Sequence, residues 1–369
     1  MERVTAGSFV FLTLVGFLSC ENPALTLEQK LIIIEQAIET ARRAEHVPGV
    51  VVGIIKDDSV VFVKGFGLRN VEAGLPVTAQ TLFPIASVTK TFTALAAVLS
   101  AEKGNLSLDD SPGKFLPYFT LRDPDANAGV TLRDLLSHRT GVPDTLDVGW
   151  YERYSDRETL IRIAMLSGTR GGFRKDFNYN NYMYLVAGEM IARSHNKTFE
   201  RVLTDLVLKP LGMNSSTLST EAMMQTLDFS FGYAGGLERT RVPLRKLDYL
   251  SALLPAGGVI SSANDMVRWV RLMAGGGVFE GKRLVPEEGF REMLMPHVKT
   301  EEGSYGLGLF IEEWNGRKVY FHHGGVPGFG SRFEFIPDQR LGLIVLTNIN
   351  DQRLPIQVRT IVYSHLIAE

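Results

Sequence analysis

The sequence predicts an α+β fold: an antiparallel sheet flanked by N- and C-terminal helices, with an inserted all-helical lobe. Three observations predict it. Strand-like runs cluster at two distant places, near residues 50–66 and 305–348. Between about Asn105 and Pro255, helical periodicity and Gly/Pro loops replace them, and each end of the globular region carries an amphipathic helix. The expected organisation is an α/β lobe from 27–104 plus 256–369, a helical lobe from 105–255, and an active-site cleft between the two.

The elements follow in order. Residues 1–20 hold Arg3 and then the apolar run Ser8 to Leu18, too short for the roughly 20 residues that span a bilayer. They read as an export signal that directs the protein out of the cytoplasm. Cys20, the single cysteine, excludes an intrachain disulfide and stands where a bacterial lipoprotein would be cleaved, so a lipid tether through Cys20 and a soluble cleaved product are both open. Thr26-Leu27-Glu28-Gln29 matches a capping box, and Leu27, Leu31, Ile34, Ile38 and Ala41 give the helix that follows one apolar stripe. Val50 to Ile55 and Val60 to Phe66 form a hairpin around the turn residues Lys56-Asp57-Asp58-Ser59. Helices are expected at Ala263–Met273, Pro286–Met295 and Leu354–Ile367. Strands are expected at Tyr305–Ile311, Lys318–His322, Ser331–Ile336 and Leu341–Asn348.

Composition narrows the function. The chain has 369 residues, 45% hydrophobic and 22% charged, with a formal net charge of -2. That suits a large globular core and gives no basic field for nucleic acid. No cofactor motif and no recognisable metal-ligand set is present. The pair His322-His323 lacks the H-E-x-x-H or Cys/carboxylate companions of a metal site.

Chemistry concentrates in three stretches. S-x-x-K occurs four times, at Ser87/Lys90, Ser100/Lys103, Ser111/Lys114 and Ser194/Lys197. Pro112-Gly113 breaks the third, Ser100 sits in a last helical turn, and Ser194 lies in a polar helix end. Only Ser87 stands at a helix N-terminus, where free backbone NH groups favour an anion. Val88, Phe92, Leu95, Ala96 and Leu99 make that helix, with Gly104 closing it, and three residues bring Lys90 onto the face of Ser87. Ser87 is therefore the candidate nucleophile and Lys90 its candidate proton acceptor. The second stretch is the single Y-x-N, Tyr179-Asn180-Asn181, ahead of the apolar run Met183 to Ile191. A cation beside Tyr179 would favour its phenolate, and Asn181 offers a donor and an acceptor; an aromatic turn with an asparagine cap is the structural alternative. The third is His322-His323-Gly324-Gly325, leaving a strand for a Gly-rich turn where backbone approaches a ligand. His322 is a candidate substrate contact, the backbone NH groups of Ser87 and Gly325 are candidate oxyanion donors, and the H-x-G register is satisfied by His322 and by His323.

S-x-x-K, Y-x-N and H-x-G in this order resemble the serine β-lactamase and penicillin-binding-protein superfamily, in the branch of class C β-lactamases, DD-carboxypeptidases and family VIII esterases. Phe83 to Ser87, Leu135 to Gly141, Leu208 to Met213 and Tyr305 to Gly308 extend the likeness over residues 27 to 365. The resemblance implies a β-lactamase/transpeptidase-like fold in which Ser87 is acylated, Lys90 and Tyr179 move protons, and Asn181 holds a substrate amide. His322 would take the place of the K-T-G lysine with Gly324 beside it, and His138 would be structural. It implies a serine hydrolase acting on an ester, amide or β-lactam. A DD-carboxypeptidase or D-amino-acid peptidase is an alternative, and a penicillin-binding-like sensor without turnover is one of another class. The partner is a small-molecule or peptide substrate. The oligomeric state and the choice of Lys90 or Tyr179 as base stay open.

Overall fold

A computed structural model describes residues 25–144, 153–154, 156–166, 168, 172–235 and 238–367. The expected export segment and Cys20 lie outside them. Helix α1 (Leu27–Ala44) opens with the predicted capping box, Thr26 accepting from the Gln29 NH while the Gln29 side chain returns to the Thr26 NH. Strands β1 (Gly49–Lys56) and β2 (Ser59–Asn70) form the predicted hairpin. Asp57 and Asp58 both adopt positive φ, the backbone that a tight two-residue turn demands. After β3 (Leu75–Pro76) comes α2 (Thr89–Glu102), then the helix-rich stretch containing α3 (Asn181–Ser194).

The chain returns to the sheet with α4 (Ala263–Ala274), a short helix at Glu287–Leu294, and β4 (Val298–Thr300), β5 (Gly303–Tyr305), β6 (Phe310–Trp314), β7 (Arg317–Val326), β8 (Phe329–Ile336) and β9 (Leu341–Thr347). Helix α5 (Arg353–Leu366) ends it. The nine strands make one antiparallel sheet in the order β4-β5-β6-β7-β8-β9-β1-β2-β3, so the two chain halves join where β9 pairs with β1.

Both faces of the central strands are covered, which explains why β1 reads Gly-Val-Val-Val-Gly-Ile-Ile without alternation. Val50, Val52 and Ile54 pack with Ile34 and Ile38 of α1 and Val358 and Val362 of α5. Val51 and Ile55 face the opposite core, shared with Val267 and Trp269 of α4. Gly53 lies on that side, where an added Cβ would come within 2.5 Å of Val267. The same core continues without a break through Phe92 and Leu95 of α2 into Leu185 and Met190 of α3. The helix-rich region and the sheet are thereby packed around α2, which carries the candidate nucleophile at its start.

The structure differs from the sequence expectation at two places. The strand expected over 305–311 is two strands, broken by a turn at Gly306–Leu309 in which the Gly306 NH donates to the Leu309 carbonyl. Packing causes the break: Gly308 has positive φ, and its Cβ would fall 2.8 Å from the Lys90 carbonyl oxygen. Second, residues 229–235 run back along the sheet. Phe229 bridges Leu82, and Tyr233 bridges Ile349 and pairs with the short strand at Thr240–Arg241.

Candidate active site

The segment before Ser87 is pinned by Phe83–Pro84 pairing with Ile260–Ser261 and by the Ile85 NH donating to the Val259 carbonyl. Ala86 then takes a φ of 48°, an unfavourable left-handed conformation for a residue with a Cβ. Ser87 follows in a single 3-10 turn, Ala86–Val88, that feeds α2. Strained backbone immediately before a serine at a helix start marks a position held against its local preference.

Lys90 is fully buried and points at three acceptors: Ser87 Oγ at 3.3 Å, Asn181 Oδ1 at 2.7 Å and the Ala256 carbonyl at 2.8 Å. Its Nζ also lies 4.7 Å from the Tyr179 ring centre and 5.3 Å from that of Tyr184. Burial pulls its pKa from the usual 10.5 to about 7, with Asp144 pulling the other way. An amine in this state can take a proton from Ser87 near neutrality. The other three S-x-x-K serines have local roles. Ser100 donates to the Ala96 carbonyl, Ser111 caps a 3-10 turn, and Ser194 donates to the Ile191 carbonyl.

Tyr179 lies beside Ser87 and is hydrogen-bonded to it, yet burial pushes its pKa well above the ordinary value. The expectation that Lys90 would favour a phenolate meets the larger effect of desolvation, so Tyr179 stays a neutral hydroxyl. Asn180 is the α3 N-cap, its Oδ1 accepting from the Met183 NH at 3.1 Å. Asn181 bridges inward: its Oδ1 meets Lys90, while its backbone NH and Nδ2 donate to Asp144 Oδ2 at 3.2 and 2.8 Å.

A cavity of about 440 Å³ opens on this cluster, lined by Ser87, Phe177, Tyr179, Phe310, His323, Gly325, Asn350 and Gln352. It brings Ser87, Tyr179 and Gly325 together, with Lys90 and Asn181 behind Ser87. The two histidines part company because β7 alternates sides. His323 lines the cavity, its ring stacked on Phe310 at 5.6 Å. His322 is buried behind, its Nδ1–H donating to the His323 carbonyl at 2.6 Å, which leaves Nε2 to accept from the Tyr305 hydroxyl at 3.0 Å. With both nitrogens engaged, His322 stands behind the cavity wall, 5.3 Å from the Phe310 ring centre, and His323 is the histidine that lines it.

At Gly324, β7 passes close against the nucleophile. A Cβ there would lie 2.8 Å from the Ser87 nitrogen, 2.6 Å from the Ile85 oxygen and 2.5 Å from Ser331 Oγ. His138 is buried in an aromatic cage, 4.3 Å from the Tyr179 ring centre, and its Nδ1 accepts from the Asn180 NH at 3.0 Å. Asp144, Phe310, Asn350 and Gln352 are additions that sequence reading passed over. Asp144 stands three residues after the Leu135 to Gly141 block, which was its only local signal.

An antiparallel sheet between terminal helices, with a helix-rich region packed on it, brings a serine, a buried lysine and a tyrosine together at their junction. The chain belongs to the beta-lactamase family, whose model matches residues 34–361. It is 25% identical over 330 residues to "Protein flp" of Staphylococcus aureus (strain MW2), covering 87% of this chain and 64% of that protein. It is 28% identical over 351 residues to "Unguisins hydrolase ungD'" of Aspergillus campestris (strain IBT 28561), covering 87% of this chain and 62% of that protein. The chain thus spans less than two thirds of the length of these curated relatives. Among solved structures, the octameric penicillin-binding protein homologue from Pyrococcus abyssi superposes with a TM-score of 0.80 at 29% identity, over 90% of this chain and 77% of that one.

Proposed function

We propose that the protein is an exported serine hydrolase that cleaves an ester or amide through an acyl-enzyme on Ser87. The observation that carries this reading is the Lys90 amine, 3.3 Å from Ser87 Oγ and pulled down to about 7 by burial. In the proposed sequence, Ser87 Oγ attacks the scissile carbonyl while its proton passes to Lys90. The backbone NH groups of Ser87 and Gly325 receive the developing oxyanion. The neutral Tyr179 hydroxyl hands a proton to the leaving group and is refilled from Lys90. Water then attacks the acyl carbonyl, the same pair accepts its proton, and Ser87 leaves with a proton restored. Asn181 and the Ala256 carbonyl hold Lys90 in place, and membership of the beta-lactamase family together with the hydrolase named among the relatives supports the assignment.

The test is labelling by a fluorophosphonate and hydrolysis of p-nitrophenyl butyrate by the wild type, Ser87→Ala and Lys90→Ala. Loss of both signals in Ser87→Ala is expected, with acylation slowed by several orders of magnitude in Lys90→Ala. Undiminished labelling of Ser87→Ala would sink the assignment. Export rests on the sequence of residues 1–20; fractionation of wild type and Cys20→Ala separates a lipid tether, which the substitution releases, from a soluble exported product, which it leaves unchanged.

A further inference from the structure

We propose that the cleft takes uncharged substrates and discriminates against esters and amides that carry a carboxylate close to the scissile carbonyl. This rests on the hydrolase reading of Ser87 and adds the charge of its substrate.

The walls are aromatic or neutral. Phe177 packs against Phe310 at 5.9 Å, and Phe310 stacks on His323. Asn350 and Gln352 complete the other side, and the Gln352 amide donates to the Gly324 carbonyl at 2.9 Å. No arginine or lysine lines the cavity among the described residues.

Among the described residues, Lys90, Arg332 and Arg359 are each committed to partners. Lys90 stands behind Ser87 with Ser87 Oγ, Asn181 Oδ1 and the Ala256 carbonyl around it. Arg332 is buried, bonded to Glu334 at 2.7 Å and 4.0 Å from Glu312. Arg359 pairs with the same two carboxylates, so each guanidinium group is matched by a carboxylate rather than left free for a substrate.

The imidazoles add none. Burial pushes His322 well below the usual histidine range and His323 below it, with the Lys90 and Arg332 cations opposing protonation of both. Among the described residues, two acidic groups stand close by: Asp144, which accepts from Asn181 and whose carboxyl burial pushes up, and Glu302, near enough to act on His323. A substrate carboxylate entering here would lose hydration without gaining a counter-charge, whereas an apolar group gains the aromatic wall.

Matched pairs test this on the full chain. Acylation rate and kcat/KM are compared for p-nitrophenyl butyrate against mono-p-nitrophenyl succinate, and for nitrocefin methyl ester against nitrocefin. Within each pair the uncharged member is expected to react faster by about tenfold or more, or ~1.4 kcal/mol. Asn350→Arg, which puts a cation on the exposed rim, is expected to narrow that ratio. Equal or faster reaction of the anionic members, with Ser87 labelled normally by a neutral fluorophosphonate, overturns the charge discrimination alone. Failure of that phosphonate to label Ser87 overturns the hydrolase reading beneath it.

Discussion

Burying Lys90 makes stability depend on pH in a way that one substitution isolates. In the folded state its pKa lies near 7, and the ordinary value is 10.5. Between those values the unfolded chain holds a proton that the native chain has released, so the native state gains stability as pH rises through this window. The gain is about 1.4 kcal/mol per pH unit, and roughly 4–5 kcal/mol across the interval. Below about 7 both states are protonated and the contribution is flat. Lys90→Met removes this dependence. It also strips hydrogen-bond partners from Asn181 Oδ1 and the Ala256 carbonyl, at about 1–3 kcal/mol each. Those losses do not change with pH, so they shift the comparison without altering its slope. Urea unfolding of both proteins from pH 6 to 10 should give a stability difference that moves in favour of the wild type by about 1.4 kcal/mol per unit above pH 7. A difference that stays level between pH 7 and 9.5 refutes a depressed Lys90.

Three further outcomes follow from the same geometry. Asp144→Asn keeps an acceptor for Asn181 but removes the charge that holds Lys90 up, so the acid limb of kcat/KM should move to lower pH; movement to higher pH contradicts the assigned coupling. Tyr179→Phe should lower kcat/KM by about 10²–10³ while leaving the acid limb near 7, because Tyr179 is a neutral donor and Lys90 the titrating base. Disappearance of that limb would return the base role to Tyr179. Gly324→Ala places a methyl within 2.8 Å of the Ser87 nitrogen and should cost about 1–3 kcal/mol in urea unfolding, with a fall in kcat. A variant as stable and active as the wild type would show that β7 does not approach Ser87 so closely.

Local pattern carried much of the architecture into view. The Thr26 capping box, the Asp57-Asp58 turn and the continuous apolar runs of β1 and β9 are written in neighbouring residues, and each appears where periodicity predicts it. The Ser87–Lys90 pairing was legible for the same reason, since one helical turn sets it. What the chain did not show locally depends on distant contacts. Asp144 reaches Asn181 across 37 positions, and Lys90 reaches the Ala256 carbonyl across 166. Asn350 and Gln352 join the cavity only because β9 delivers the following loop beside Gly324 and Gly325. The break between β5 and β6 was hidden because its cause, the close passage of Gly308 over the Lys90 carbonyl, lies over 200 residues away in sequence. The state of Tyr179 was a question of magnitude. A neighbouring amine and burial oppose each other, and only the depth of the site shows that burial wins.

The most direct test of the account is the site of the covalent intermediate. Intact-mass and peptide mass spectrometry on protein quenched during p-nitrophenyl butyrate hydrolysis should find one butyryl group on Ser87 in the wild type and none in Ser87→Ala. A butyryl group on another residue, or steady turnover by Ser87→Ala at the wild-type rate, would contradict it.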